Sequence, residues 1–324
     1  MLNYLIRRLL MMVPLMFGIT IITFAVIHLA PGEPIDSMTD LNPKISAQAK
    51  QKMRQMYNLD KPLHVQYFLW IKRLLVLDFG RSFSTDNRPV IDKILERIPI
   101  TLTINVISLV IMFMLALPIG VWSATHPYSF FDKSTTLFVF IGFSTPGFWL
   151  ALLLMILFGV QLGWLPISGI RSLNHELLSP WGKMADYARH LTMPILLSSL
   201  TSLAFLSRIA RQNMLEVIRQ DYIITARAKG LPESAVVYKH ALKNALLPVV
   251  TIIGFSIPGL IGGSVIFETI FSIPGIGQLF FESVMSRDYP LVMGNLVIVA
   301  LLTLVGNLVA DIAYGVVDPR IRYD

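Results

Sequence analysis

Apolar and polar positions alternate along this chain on the scale of whole helices rather than single turns. Runs without any Asp, Glu, Lys or Arg occupy 9–30, 101–124, 134–161, 193–207, 246–267 and 291–310, separated by polar stretches of which 31–99 is by far the longest. Crossing a bilayer takes about 20 apolar residues, so the pattern predicts an all-α integral membrane protein with about six transmembrane helices. The first run exceeds the ~7–15-residue core of a secretory signal, so it reads as an uncleaved first helix. The long excursion that follows reads as short amphipathic helices at 46–57, 64–77 and 89–98.

Charge orients these elements. From Arg208 to Asn244 the chain carries Arg208, Arg211, Arg219, Arg227, Lys229, Lys239 and Lys243 against Glu216, Asp221 and Glu233. Such a bias marks a cytoplasmic loop, and both termini are then cytoplasmic as well. The 31–99 excursion falls outside, since segments beyond about 60 residues translocate largely regardless of charge. Within the basic loop, Leu215, Ile218, Tyr222 and Ala226 recur at helical spacing. Gly230 can take a left-handed cap, and Pro232 opens a second helix with Val236, Val237 and Ala241 on one face.

Composition agrees with a bilayer protein: 54% of the 324 residues are hydrophobic, 15% are charged and the mean hydropathy is +0.65. The net charge of +7 sits beside apolar spans without an aromatic-interleaved basic stripe, which argues against nucleic acid. Cysteine is absent, excluding disulfides and thiolate metal sites. No phosphate-binding G-x-x-x-x-G-K-[ST], H-E-x-x-H or G-x-S-x-G occurs, and no pair of mid-span carboxylates, so the chain reads as a non-enzyme that binds no cofactor of its own. A secondary transporter or channel is the rival class, but such proteins place ionisable groups deep in the membrane. Here Glu268 and Asp311 fall at span ends, His28 reads as an interfacial residue, and Asn105, Asn295 and Asn307 are the strongly polar side chains further in. The Gly254, Pro258, Gly259, Gly262 and Gly263 series predicts close helix packing.

One series of motifs goes further. Thr225-Ala226-Arg227-Ala228-Lys229-Gly230-Leu231, followed by His240-Ala241-Leu242 and Asn244-Ala245-Leu246-Leu247-Pro248, resembles the "EAA" loop of ABC importer permeases. Ile224 and Thr225 stand where Glu and Ala are usual and the Leu-Pro pair comes late, departures shared by the dipeptide, oligopeptide and nickel branch. Pro31-Gly32-Glu33-Pro34, Leu59-Asp60-Lys61-Pro62 and Asp78-Phe79-Gly80-Arg81-Ser82 resemble the N-terminal region of that branch. Ser144-Thr145-Pro146-Gly147-Phe148-Trp149, Trp164-Leu165-Pro166-Ile167-Ser168-Gly169, the segment from Glu268 to Gly277 and Ser286-Arg287-Asp288-Tyr289-Pro290 continue the match. The chain ends on Asp318-Pro319-Arg320-Ile321-Arg322, expected inside.

The resemblance implies a type I ABC importer permease fold. Residues 1–100 would form the first helix and an extracytoplasmic region, and 101–324 a transmembrane domain with a coupling loop at 211–247. That loop would dock into a separate ATPase through Asp221, Tyr222, Thr225, Ala226, Ala228, Lys229, Gly230, Leu231, His240 and Asn244. Pro146, Phe148 and Trp149, at a kink, together with Asn105 and Asn295, are candidates for the translocation path. The implied partners are a second homologous permease, two ABC ATPase subunits that use ATP and Mg, an extracytoplasmic solute-binding protein and membrane lipid. The implied setting is the bacterial cytoplasmic membrane. The implied cargo is a di- or oligopeptide, with nickel, haem or glutathione as alternatives.

Overall fold

The structure, a computed structural model, describes residues 2–29, 47–56 and 58–317. The Pro31-to-Pro34 motif and the Asp318-to-Arg322 terminus lie outside the described residues. Regular structure is helical throughout the described residues, apart from one isolated antiparallel bridge between Arg81 and Pro89. In chain order the helices are α1 (Leu2–Leu29), α2 (Ala47–Met56), α3 (Leu63–Leu74), α4 (Val90–Thr125), α5 (Phe130–Ser144), α6 (Gly147–Leu154), α7 (Pro180–Ile218), α8 (Asp221–Ala228), α9 (Leu242–Ala245), α10 (Leu247–Ser256), α11 (Gly259–Gly262), α12 (Val265–Ile270), α13 (Ile276–Met285) and α14 (Tyr289–Val317). π-helical segments extend α6 over Met155–Gln161 and precede α9 over Ala235–Ala241.

Among the described residues, three helices are continuous and apolar enough to cross a membrane: Ile6–Leu29, Val90–Thr125 and Tyr289–Ile312. Two further candidates are bent pairs, Phe130–Gly142 with Gly147–Gln161 at 102° and Pro180–Leu200 with Ser202–Ile218 at 40°. Counting each pair once gives up to five among the described residues by length and composition, one fewer than the expected six, and a shorter apolar helix, Ile252–Gly262, lies in the remaining run. The difference lies at 246–267, where the apolar run is divided into α10, α11 and α12. Pro258 has no amide with which to carry the hydrogen-bond ladder on, and Gly263 turns the chain at φ +66°.

The polar–apolar boundaries also mislead about where helices begin. The expected amphipathic helix at 89–98 and span at 101–124 are one helix of 36 residues, about 54 Å long at 1.5 Å per residue. Likewise α7 runs 39 residues, through an expected outer segment, a span and the start of the basic loop. It begins where the Ser179 hydroxyl accepts from the Gly182 amide and Pro180 occupies the first turn.

These two long helices pack along each other and form the axis of the fold. Gly120 permits their contact: a Cβ there would lie 2.6 Å from the Ala210 Cβ and 2.9 Å from the Ser207 carbonyl. Around them, Met112 and Ala116 of α4 close on Leu203 and Leu206 of α7 and Val249 of α10. Phe24 and Ile27 anchor α1 to Val292 and Met293 of α14. The 79–89 segment is stapled to the start of α14 by Asp288, whose buried carboxylate accepts from the Ser82 hydroxyl and from the Phe83 and Leu291 amides.

Candidate functional site

The basic loop is a folded unit. α7 stops at Ile218, the chain turns through Arg219 and Gln220, and α8 begins with Asp221 in its first turn, where a carboxylate suits the helix dipole. The spacing Leu215, Ile218, Tyr222, Ala226 therefore does not belong to one helix. The turn rephases it, so that Ala226 is buried whereas Tyr222 is exposed. α8 ends as the Gly230 spacing predicts: Gly230 takes φ +76°, its amide donates to the Arg227 carbonyl (2.9 Å), and the Leu231 amide donates to the Ala226 carbonyl (3.4 Å). These are the two bonds of a Schellman cap, in which a left-handed residue satisfies the last carbonyls. Pro232 then opens the second helical segment, whose Val236, Val237, Ala241 and Ala245 pack with Ile223 and Ala226 against Val121 and Ala124 of α4 and Met214 of α7.

Polar links brace the two arms: the Asn244 amide donates to the Tyr222 hydroxyl at 2.7 Å, and Arg227 grips Glu233 at 2.6 and 3.1 Å. That guanidinium holds the Glu233 carboxyl below its ordinary range. Within α8 the Thr225 hydroxyl donates to the Asp221 carbonyl at 2.9 Å. Asp221, Ala228, Lys229, Gly230, Leu231 and Asn244 are exposed, and His240 is half-buried. Ile224, which stands at the motif's usual Glu position, and Tyr238, which lies outside the quoted motif, add to the exposed apolar surface of Tyr222 and Leu231. Large apolar residues standing among the loop's charges were the signal available for finding them.

A cavity of about 480 Å³ lies between α4, α7, α10 and α11, with Asn105, Ser108, Ser198, Ser202 and Ser256 among its walls. Asn105 reaches it, its amide donating to the Leu260 carbonyl at 2.7 Å. Asn295 does not: it is buried on α14 and donates to the Ile276 carbonyl at 3.2 Å. Pro146, Phe148 and Trp149 stand exposed at the α5–α6 bend, away from the cavity. The kink expected within one span is there a 102° turn between two helices.

Residues 116–323 match the family described as binding-protein-dependent transport system inner membrane component, and residues 1–105 match its N-terminal membrane component. The chain belongs to this family. It is 45% identical over 320 residues to the oligopeptide transport system permease protein AppB of Bacillus subtilis, covering 99% of both chains. It is 37% identical to the dipeptide transport system permease protein DppB of Alkalihalophilus pseudofirmus over the full length of both. It is also 38% identical to the di/tripeptide transport system permease protein DppB of Pseudomonas aeruginosa, covering all of this chain and 99% of the relative. The protein is thus a multi-pass inner-membrane permease, a membrane component of a transport system rather than an enzyme.

Two features of this permease were not legible in its motifs. Asp132, buried at the start of α5, holds Arg211 of α7 by two bonds of 2.7 and 2.9 Å and accepts from the Tyr128 amide at 2.9 Å. The spacing Ser129-x-x-Asp132, with Ser129 accepting from the Asp132 amide, was the available signal. Glu268 of α12, expected at a span end, is buried and ties its helix to α4 and α13. Its carboxylate accepts from the Thr101 hydroxyl of α4 (3.0 Å) and from the Gly277 and Gln278 amides opening α13 (2.6 and 3.0 Å), and Asn295 of α14 reaches the adjoining Ile276 carbonyl.

Proposed function

We propose that this chain is one permease subunit of an ATP-driven ABC importer that carries small peptides across the cytoplasmic membrane by alternating access. The observation that carries the coupling role is the loop: a basic island, capped at Gly230 and packed onto α4 and α7, that leaves Tyr222, Ile224, Leu231 and Tyr238 exposed. A rigid projection with an apolar tip is suited to being covered by another protein. Peptide cargo rests on the similarity to permeases named for oligopeptide and dipeptide transport.

In this reading 211–247 is the coupling loop. Asp221, Tyr222, Thr225, Ala228, Lys229, Gly230, Leu231, His240 and Asn244 meet the ATPase, and Ala226 holds the loop's shape from beneath. Two ATPase subunits hydrolyse ATP with Mg, a second homologous permease completes the path, and an extracytoplasmic binding protein delivers the peptide. Both termini are cytoplasmic, and the chain divides near residue 100 into an extracytoplasmic-facing region and the transmembrane domain. ATP then drives transport because its binding and hydrolysis favour different members of an inward-open and outward-open pair.

The test is reconstitution. In liposomes the chain alone should neither hydrolyse ATP nor conduct solute, whereas the full complex should import peptide only with ATP inside the compartment that holds the ATPases. Solute flux driven by a proton or sodium gradient without partners would favour a secondary transporter. ATP-dependent import of nickel, haem or glutathione in place of peptide would retain the coupling mechanism and change the cargo.

A further inference from the structure

Within the cavity, α7 carries Ser198 and Ser202 four residues apart on one face, flanking the point where the helix bends by 40°. The other polar walls are already committed. The Ser108 hydroxyl donates to the Ile195 carbonyl (3.2 Å), Ser256 to the Ile252 carbonyl (2.8 Å) and the Asn105 amide to the Leu260 carbonyl. Ser198 and Ser202 make no side-chain hydrogen bond among the described residues. Ser202 is exposed and Ser198 half-buried, so both hydroxyls are open to water or to a ligand group that enters the cavity. Among the described residues, no Asp, Glu, Lys, Arg or His lines this cavity.

We propose that Ser198 and Ser202 contact the transported solute, hydrogen-bonding the main-chain amides of a peptide, and that this level of the path is indifferent to the peptide's net charge. The inference rests on the peptide-import reading above. A hydroxyl both donates and accepts, so it can answer either the N–H or the C=O that every peptide presents. An ionisable wall would behave differently. In a low-dielectric site one fixed charge outweighs several neutral hydrogen bonds, retaining peptides of opposite sign and rejecting those of like sign. A path that must release what it admits is better served by weak, neutral contacts.

The chain has no cysteine, which permits a charge to be added after folding. Ser202→Cys is assembled into the complete transporter and labelled with an anionic or a cationic methanethiosulfonate reagent. Wild type labelled in the same way reports any effect on partner subunits. Uptake per ATP hydrolysed is measured for three tripeptides differing only in a central Glu, Ala or Lys, each supplied on saturating loaded binding protein. Wild type should carry all three within about twofold of one another. The anionic adduct should slow the Glu peptide by about tenfold relative to the Lys peptide, and the cationic adduct should reverse that order. The double variant Ser198→Ala with Ser202→Ala should weaken uptake of all three alike.

Strong charge preference in the wild type, a failure of the Ser202→Cys thiol to label during turnover, or equal effects of both adducts on the three peptides would overturn the proposal while leaving peptide import standing. A wild-type complex that imports another solute but none of these peptides would overturn the peptide reading and the proposal with it.

Discussion

Arg211 and Asp132, 79 residues apart in the chain, form a two-point ion pair that pins the start of α5 to the loop-bearing end of α7. The two partners are not equivalent, since the Asp132 side chain is 5% exposed and that of Arg211 is 31% exposed. Removing the cation leaves a buried carboxylate uncompensated, whereas removing the anion leaves a guanidinium that can reach water. Arg211→Leu should therefore destabilise the subunit by roughly 3 kcal/mol and Asp132→Asn by about 1 kcal/mol. Thermal unfolding of both variants in detergent checks the order, and a larger loss for Asp132→Asn would contradict it.

Gly230→Val tests the loop. A Cβ at Gly230 would meet nothing within 4 Å, so the cost inside the subunit is the left-handed backbone at φ +76°, roughly 1 kcal/mol or more for a branched residue. Folding and membrane insertion should survive. Docking of the ATPases onto the exposed tip should not, so transport should be lost while binding-protein docking on the opposite side persists. Ser234→Val, at an exposed position, should be mild. Copurification of the ATPases with each variant, paired with transport in proteoliposomes, decides the matter; wild-type transport by Gly230→Val would sink the coupling assignment.

Gly275 is constrained for a different reason. Its φ of −106° suits any residue, but a Cβ would come within 2.4–2.6 Å of the Glu268 carboxyl group. That carboxyl cannot swing aside without releasing Thr101 and the α13 amides. Gly275→Ala should cost about 1–3 kcal/mol as overpacking, whereas Gly18→Ala, with open space around it, should be neutral. The comparison is of melting midpoints, and equal midpoints would refute the packing argument.

Asp86 gives a pH dependence with a definite sign. Hydrogen bonds from Lys93, first, and Ser84 bring its carboxyl from 3.8 down to about 2. A depressed folded pKa contributes stability that is fully present above the unfolded value and is lost as pH falls through the folded one. With Asp86 45% exposed, the contribution is small and screened by salt. The gap in melting midpoint between wild type and Asp86→Asn should be steady from about pH 7 to about pH 5 and close on acidification towards about pH 2. A gap that widened on acidification would contradict the pair's role.

Orientation is testable without background because the chain lacks cysteine. Single cysteines at Glu233 and after Asp324 should be shielded from an impermeant thiol reagent in intact cells, and one at Lys52 should react. Labelling at position 233 without permeabilisation would invert the topology and remove the coupling surface from the side where ATP is.

Much of this was legible before any fold was known. The apolar runs, the basic island, the left-handed Gly230 and the buried stripe of Val236, Val237 and Ala241 all follow from local rules, in which a residue and its neighbours within one turn suffice. Helix boundaries were less legible. Polarity reports where a membrane would end, not where a helix does, so 89–98 and 101–124 read as two elements although the backbone of α4 passes unbroken through Pro99.

What the sequence determined by itself was the class of protein and the shape of its loop, because hydrophobic length, charge bias and backbone preference are properties of short stretches. Only the tertiary structure decided which polar residues share a space. Asn105 and Asn295 look alike in their apolar runs, yet one faces a cavity between α4 and α10 and the other holds the start of α13. Arg211 reads as one topogenic cation among several until Asp132 is brought to it, and Glu268 reads as an end-of-span carboxylate until Thr101 and two glycines close around it. A hydrogen bond's worth depends on the partner and on the water excluded around it, and both are set by contacts between residues far apart in the chain.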